Sequence, residues 1–305
     1  MTMMMATGRE GILVDLSWQR SSSLSKHDLP VGKLASSPEH TISRESFIKE
    51  HNHRSERRRK SIDRSIMRPK VVLFGDSITQ ESFSKGGWGA ALAHHFSRTA
   101  DVVLRGYNGY NTRWALKGAN RAMHGTCADG EHPLVLTVFF GANDASLPDR
   151  SSGFQHVPLD EYQSNLRSII SFFKERWPTT KILLITPPPI DEDGRRRNPF
   201  GGNLSGLSER TNTSTGAYAR ACIAVATEYN IPVIDIWSKM QQFSGWEKSF
   251  LCDGLHFTAA GNGILFEEVV AKFKEMGVSI DNLPIDLPLF DKLDSYDPLK
   301  VAFAS

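Results

Sequence analysis

The chain has 305 residues, 40% hydrophobic and 23% charged, with a formal net charge of +2. So small a charge excludes a global field that would draw it to nucleic acid or a membrane, and the composition fits one sizeable globular core plus tails. Three scattered cysteines (Cys127, Cys222, Cys252) exclude a disulfide framework and fit a reducing compartment, and no apolar run reaches the roughly 18 residues of a membrane span.

Residues 1–67 are rich in Ser, Arg, His and Lys and hold no apolar period. Gly11-Ile12-Leu13-Val14 is too short for a signal-peptide core. Glu10, Asp15, Asp28 and Glu39 argue against a transit peptide, which is acid-poor. The segment reads as a disordered basic, Ser-rich extension. Its cluster Arg54, Arg57, Arg58, Arg59 and Lys60 leaves a nuclear signal or nucleic-acid contact as an alternative. The expected compartment is the cytoplasm, with the plastid as the alternative.

From Lys70 the texture becomes alternating apolar runs and amphipathic stretches. Strands are predicted at 70–75, 101–105, 134–140, 181–186 and 231–236, and helices at 88–98, 112–123, 159–176, 214–229 and 258–276. In 159–176, Leu159, Tyr162, Leu166, Ile169, Ile170 and Phe173 recur at helical spacing, and Trp177-Pro178 stops the run. Five strand–helix units in succession predict an α/β fold, a parallel sheet with helices on both faces. The Pro-, Gly- and Asn-rich, charged stretch 187–213 reads either as a lid or as a variable surface insertion. Residues 282–305 read as an extended tail packed on the core through Leu287, Leu289 and Phe290.

Four short blocks are predicted to fall at strand ends: Gly75-Asp76-Ser77, Gly106 to Thr112, Gly141-Ala142-Asn143-Asp144, and Asp253-Gly254-Leu255-His256 before the last helix. The bland reading of Asp76-Ser77 is a helix cap. Jointly, however, the blocks supply the parts of acyl transfer. Ser77 is the candidate nucleophile and His256 its base, since imidazole titrates near neutral pH. Asp253 would accept the other ring N–H. The Ser77 N–H, the Gly109 N–H and the Asn143 amide are candidate oxyanion donors. There is no G-x-S-x-G elbow, Walker loop or H-E-x-x-H, and the dinucleotide fingerprint at Gly261-Asn262-Gly263 is incomplete. The pairs His94/His95 and His51/His53 lack acidic or cysteine partners at metal spacing and read as surface residues.

At these residues the chain resembles the SGNH (GDSL-type) hydrolase superfamily, whose four blocks carry Ser, Gly, Asn and His, here Ser77, Gly109, Asn143 and His256, with Asp253 as the acid. The resemblance covers about residues 68–281, taken as the hydrolase domain. Gly109-Tyr110-Asn111-Thr112-Arg113-Trp114, Thr186-Pro187-Pro188-Pro189 and Asp253 to Phe257 look like the isoamyl acetate-hydrolysing esterase branch, especially its plant members. The resemblance implies a three-layer αβα sandwich with a flavodoxin-like, five-stranded parallel sheet. It also implies a metal-free, cofactor-free serine esterase acting on small, short-chain carboxylic esters. One departure is Thr258-Ala259-Ala260-Gly261, where Pro and Glu are expected after the threonine; Thr258 can still cap the helix. Alternatives keep the centre but take a lipid, thioester or acetylated-sugar substrate. The remaining one is a non-catalytic binding protein. The sequence makes no prediction of oligomeric state.

Overall fold

Six residues, Lys70–Gly75, form strand β1, and Val71 to Phe74 are buried. A run that is apolar at every position suits a strand covered on both faces. β2 (Asp101–Gly106), β3 (Val135–Phe139), β4 (Lys181–Ile185) and β5 (Val233–Ile234) all run parallel in one sheet, ordered β2-β1-β3-β4-β5. This is the expected flavodoxin-like order, with its switch point between β1 and β3. The structure is a computed structural model and describes residues 68–201, 206–293 and 296. The readings of residues 1–67, including the basic cluster and the targeting alternatives, lie outside the described residues, as does most of 294–305.

Among the described residues, the α-helices are α1 (Ser77–Gln80), α2 (Trp88–His95), α3 (Thr112–Ala122), α4 (Leu159–Arg176), α5 (Glu192–Arg197), α6 (Asn212–Glu228), α7 (Ile236–Met240), α8 (Trp246–Phe250) and α9 (Ala259–Glu275). Strand alternation sends Val72, Phe74, Leu136, Val138 and Leu184 into one core, against α3, α4 and α6. It sends Val71, Leu73, Val135, Leu183 and Ile185 into a second, against α2, α7 and α9. The result is the three-layer sandwich. None of the described helices is long and apolar enough to cross a membrane.

The helix predicted from periodicity at 159–176 is α4, residue for residue. Its first apolar residue, Leu159, is nonetheless exposed. Phe173 stacks on Trp177, with ring centroids 5.5 Å apart, where the helix ends. Thr258 caps α9 as expected, its hydroxyl accepting from the Gly261 N–H at 3.1 Å.

Three expectations are corrected. The strand predicted at 231–236 shrinks to Val233–Ile234. Pro232 has no N–H for the ladder, and Asp235 leaves it to cap α7 by accepting from the Ser238 N–H at 3.1 Å. The stretch 187–213 is not merely a surface excursion, because it contains α5 and buries Arg195, Glu209 and Arg210. The tail does not pack through Leu287, Leu289 and Phe290, which are all exposed. Polar contacts pin it instead: Asp286 accepts from Arg68 and from the Arg98 Nε at 3.1 Å, and Arg98 Nη2 donates to the Leu287 carbonyl at 2.7 Å.

Candidate active site

The carboxyl ends of the three strands nearest the switch point are tied together by backbone. The Tyr107 N–H donates to the Gly75 carbonyl at 2.8 Å, and the Asp76 N–H reaches the Phe139 carbonyl at 3.4 Å. Asp76 is the helix cap: its Oδ1 accepts from the Ile78 N–H at 3.0 Å. Ser77, the first residue of α1, is thereby free of the capping task. Its Oγ lies 2.9 Å from His256 Nε2.

His256 sits in a turn closed by an antiparallel bridge between Leu251 and Phe257 and by the Cys252 N–H donating to the His256 carbonyl at 2.8 Å. This fourth block therefore stands in a closed turn before α9 rather than at the end of a sheet strand. Asp253 organises the turn. Its Oδ1 accepts from the Leu255 and His256 N–H groups at 3.0 and 2.8 Å, and its Oδ2 meets His256 Nδ1 at 2.8 Å. Gly254 has φ +90°, and a Cβ there would lie 2.4 Å from the Asp191 carbonyl oxygen and 2.6 Å from the Arg195 nitrogen. Only glycine allows α5 to approach this closely. That approach lets Arg195 Nη1 donate to Asp253 Oδ2 at 2.8 Å. Burial opposes ionisation of Asp253, but the His256 hydrogen bonds and the Arg195 charge outweigh it and hold the carboxyl far below its ordinary value. An ionised carboxylate can only accept, so Nδ1 carries a proton, and in the neutral ring that leaves the Nε2 lone pair toward Ser77.

Asn143 follows β3. Its Nδ2 donates to the Tyr110 carbonyl at 2.9 Å, and its Oδ1 accepts from Arg210 Nη2 at 3.0 Å. Gly109 precedes that carbonyl, and its own carbonyl accepts from Gln155 Nε2 at 3.0 Å. No hydrogen bond to another described residue engages the Ser77 or Gly109 N–H. Asp144 locks the same loop to α3, accepting from the Thr112 N–H at 3.0 Å and from the Thr112 hydroxyl. Of the five predicted residues, Ser77, His256 and Asp253 are joined by direct hydrogen bonds. Gly109 and Asn143 are held to one another through Tyr110 and through Gln155 and Arg210.

The sequence reading missed Arg195, Glu209, Arg210 and Gln155. Arg210 is 2% exposed, and its Nε donates to the Ala142 carbonyl at 2.7 Å, its Nη1 to Glu209 at 3.1 Å and its Nη2 also to Gln155 Oε1 at 2.8 Å. Burial lowers its pKa to about 10, which leaves it charged at neutral pH. Asp191-Glu192-Asp193 leading into Arg195-Arg196-Arg197 is the charge order that favours a helix and was a legible sign of α5. Nothing in the sequence pattern marks Glu209 and Arg210 as buried.

Comparison with known proteins gives the class. The family model for GDSL-like lipase/acylhydrolase matches residues 71–269. Two curated relatives are similar along most of their length. GDSL esterase/lipase At5g45920 of Arabidopsis thaliana is 60% identical over 77% of this chain and 98% of its own. The isoamyl acetate-hydrolyzing esterase 1 homolog of Rattus norvegicus is 40% identical over 77% of this chain and 92% of its own. Among solved structures, the lipase/acylhydrolase from Enterococcus faecalis superposes with a TM-score of 0.54 at 28% identity, covering 69% of this chain and 97% of that one. The chain belongs to the GDSL-like lipase/acylhydrolase family, and it is a carboxylic ester hydrolase.

Proposed function

We propose that the chain hydrolyses short-chain carboxylic esters, with Ser77 as nucleophile, His256 as base and Asp253 as its orienting acid. The observation that carries this is the unbroken contact from Ser77 Oγ through both ring nitrogens of His256 to Asp253, at 2.9 and 2.8 Å. As Ser77 Oγ bonds to the ester carbon, its proton passes to His256 Nε2 and the carbonyl electrons move to oxygen. That oxyanion is met by the Ser77 N–H, the Gly109 N–H and the second N–H of Asn143. When the C–O bond to the alcohol breaks, His256 returns the proton to the leaving oxygen. Water then repeats the sequence on the acyl-serine, freeing the acid and restoring Ser77. The short-chain preference draws on the likeness to the isoamyl acetate-hydrolyzing esterase 1 homolog.

A second reading enlarges the substrate. The rings of Tyr110, Trp114, Phe154 and Phe200 form a row with successive centroids 6.1, 6.5 and 6.0 Å apart. Phe154 is 61% exposed and Phe200 45%, and the row begins at the residue whose carbonyl holds Asn143. A longer acyl chain or a sugar ring would lie along it. One panel separates the two. Purified full-length protein is expected to cleave p-nitrophenyl acetate and butyrate with higher kcat/KM than the palmitate. A preference for palmitate replaces the first reading with the second.

A further inference from the structure

Asn143 and Asp253 lie on separate loops, one after β3 and one before α9, yet one run of buried charge joins them. Asp253 Oδ2 accepts from Arg195 Nη1 at 2.8 Å, and Arg195 Nε donates to Glu209 Oε1 at 2.8 Å. The same Oε1 accepts from Arg210 Nη1 at 3.1 Å, and Arg210 Nη2 donates to Asn143 Oδ1 at 3.0 Å. Arg195, Glu209 and Arg210 are 4%, 0% and 2% exposed. Signs alternate along the run: carboxylate, guanidinium, carboxylate, guanidinium.

We infer that Arg210 and Glu209 are positioning residues, which aim the oxyanion donors and brace them against the arginine that holds the catalytic acid. The inference rests on the roles proposed above for Asn143, Gly109 and Asp253. Its physical basis is the donor-only character of guanidinium. With Arg210 fixed beside it, the Asn143 amide can present only its oxygen to that side. The amide nitrogen must then face the other way, one N–H on Tyr110 and one left for substrate. Arg210 acts in the same way on Gln155, taking its Oε1 and so turning its Nε2 onto the Gly109 carbonyl. One planar fork thus sets the orientation of two amides. Neither arginine is offered a place against the reacting atoms.

Fold stability is a poor account of this arrangement. Buried ion pairs recover their desolvation cost only in part, and apolar replacements often serve stability as well or better. Both ends of this run, by contrast, terminate on groups the reaction uses. Glu209 spends a single oxygen on two arginines, while its Oε2 has no hydrogen-bond partner among the described residues. Its oxygen is thereby the strut that keeps two like charges apart at fixed distance.

The test is a double-mutant cycle between Arg210→Lys and Asn143→Ala, read as kcat and KM on p-nitrophenyl butyrate, with thermal unfolding recorded for each protein. Lysine keeps the charge but cannot span Ala142, Asn143, Gln155 and Glu209 at once. Arg210→Lys is expected to lower kcat at least about tenfold with KM within about twofold, the mark of an interaction made only in the transition state. In the Asn143→Ala background the loss from Arg210→Lys is expected to shrink at least about threefold, because the amide it aims is gone. Glu209→Gln, which keeps the acceptor but not the charge, is expected to lower kcat in the same way. Wild-type kcat in Arg210→Lys, or the same fold loss in both backgrounds, overturns the inference. An unchanged kcat in Asn143→Ala alone overturns instead the oxyanion role proposed above, so the two failures are distinguishable.

Discussion

Asn143 meets its surroundings through both ends of one amide, oxygen to Arg210 and nitrogen to Tyr110. Replacing it with alanine removes the proposed oxyanion donor while leaving Arg210 its bond to Gln155. The expected result is a kcat lower by about 10²–10³-fold, roughly 2.7–4 kcal/mol, with thermal unfolding shifted by only a few degrees. Steady-state kinetics beside a melting curve checks it. Collapse of the fold would show the residue to be structural.

Asp76 gives a second residue-scale prediction. Burial pushes its carboxyl up to about 7, with the Ile78 N–H and the nearby His256 and Arg210 offsetting part of the effect. An unfolded chain releases that proton near the usual aspartate value of about 3.9. Between about pH 4 and 7 the native state therefore binds more protons than the unfolded one, and stability falls as pH rises through that window. Asp144, also pushed up to about 7 by burial, acts in the same sense. Asp76→Asn is expected to remove part of the slope, so urea unfolding of the variant should differ less between pH 5 and pH 8 than that of the wild type. Equal slopes would mean Asp76 is ionised throughout.

At the scale of elements, α1 matters most, because its four residues carry Ser77 and three of them, Ser77, Ile78 and Thr79, are buried. Its far end rests on β2, where a Cβ added to Gly106 would lie 2.0 Å from the Gln80 nitrogen and 2.3 Å from its Cα. Gly106→Ala must push α1 off the strand. We expect destabilisation of about 1–3 kcal/mol, as for other overpacked sites, and a kcat loss above tenfold as Ser77 moves. Wild-type kinetics in a well-folded Gly106→Ala protein would show that Ser77 does not depend on this contact.

The elements also show what a sequence can convey. α4 was legible because Tyr162, Leu166, Ile169, Ile170 and Phe173 repeat with helical period and all turn to one core. The four blocks stand out in the sequence because Ser77, Gly109, Asn143 and His256 are of the residue types that acyl transfer can use. α5 shows in the sequence only through the order of its charges, because its packing uses no apolar stripe: Arg195 is buried by charge pairing with Glu209 and Asp253, which leaves no periodic trace. The composition of 231–236 reads as a longer strand than β5, whereas Pro232 brings no N–H to the ladder and Asp235 leaves it to cap α7. The tail was misjudged for a related reason. Leucines suggested packing, but the contacts that hold it are those of Asp286 with Arg68 and Arg98.

For the molecule as a whole, sheet order explains why residues so far apart in sequence meet. With β1 central between β2 and β3, the turns after all three strands open on one rim. The closed turn before α9 brings His256 back to that rim across 179 residues of chain. The central claim is that this meeting makes Ser77 the nucleophile. The most direct test is reaction of the full-length protein with a fluorophosphonate ester, followed by mass spectrometry of the modified peptide. The account predicts a single adduct on Ser77, absent from a folded Ser77→Ala protein. An adduct on a different serine, or undiminished labelling of Ser77→Ala, would contradict it.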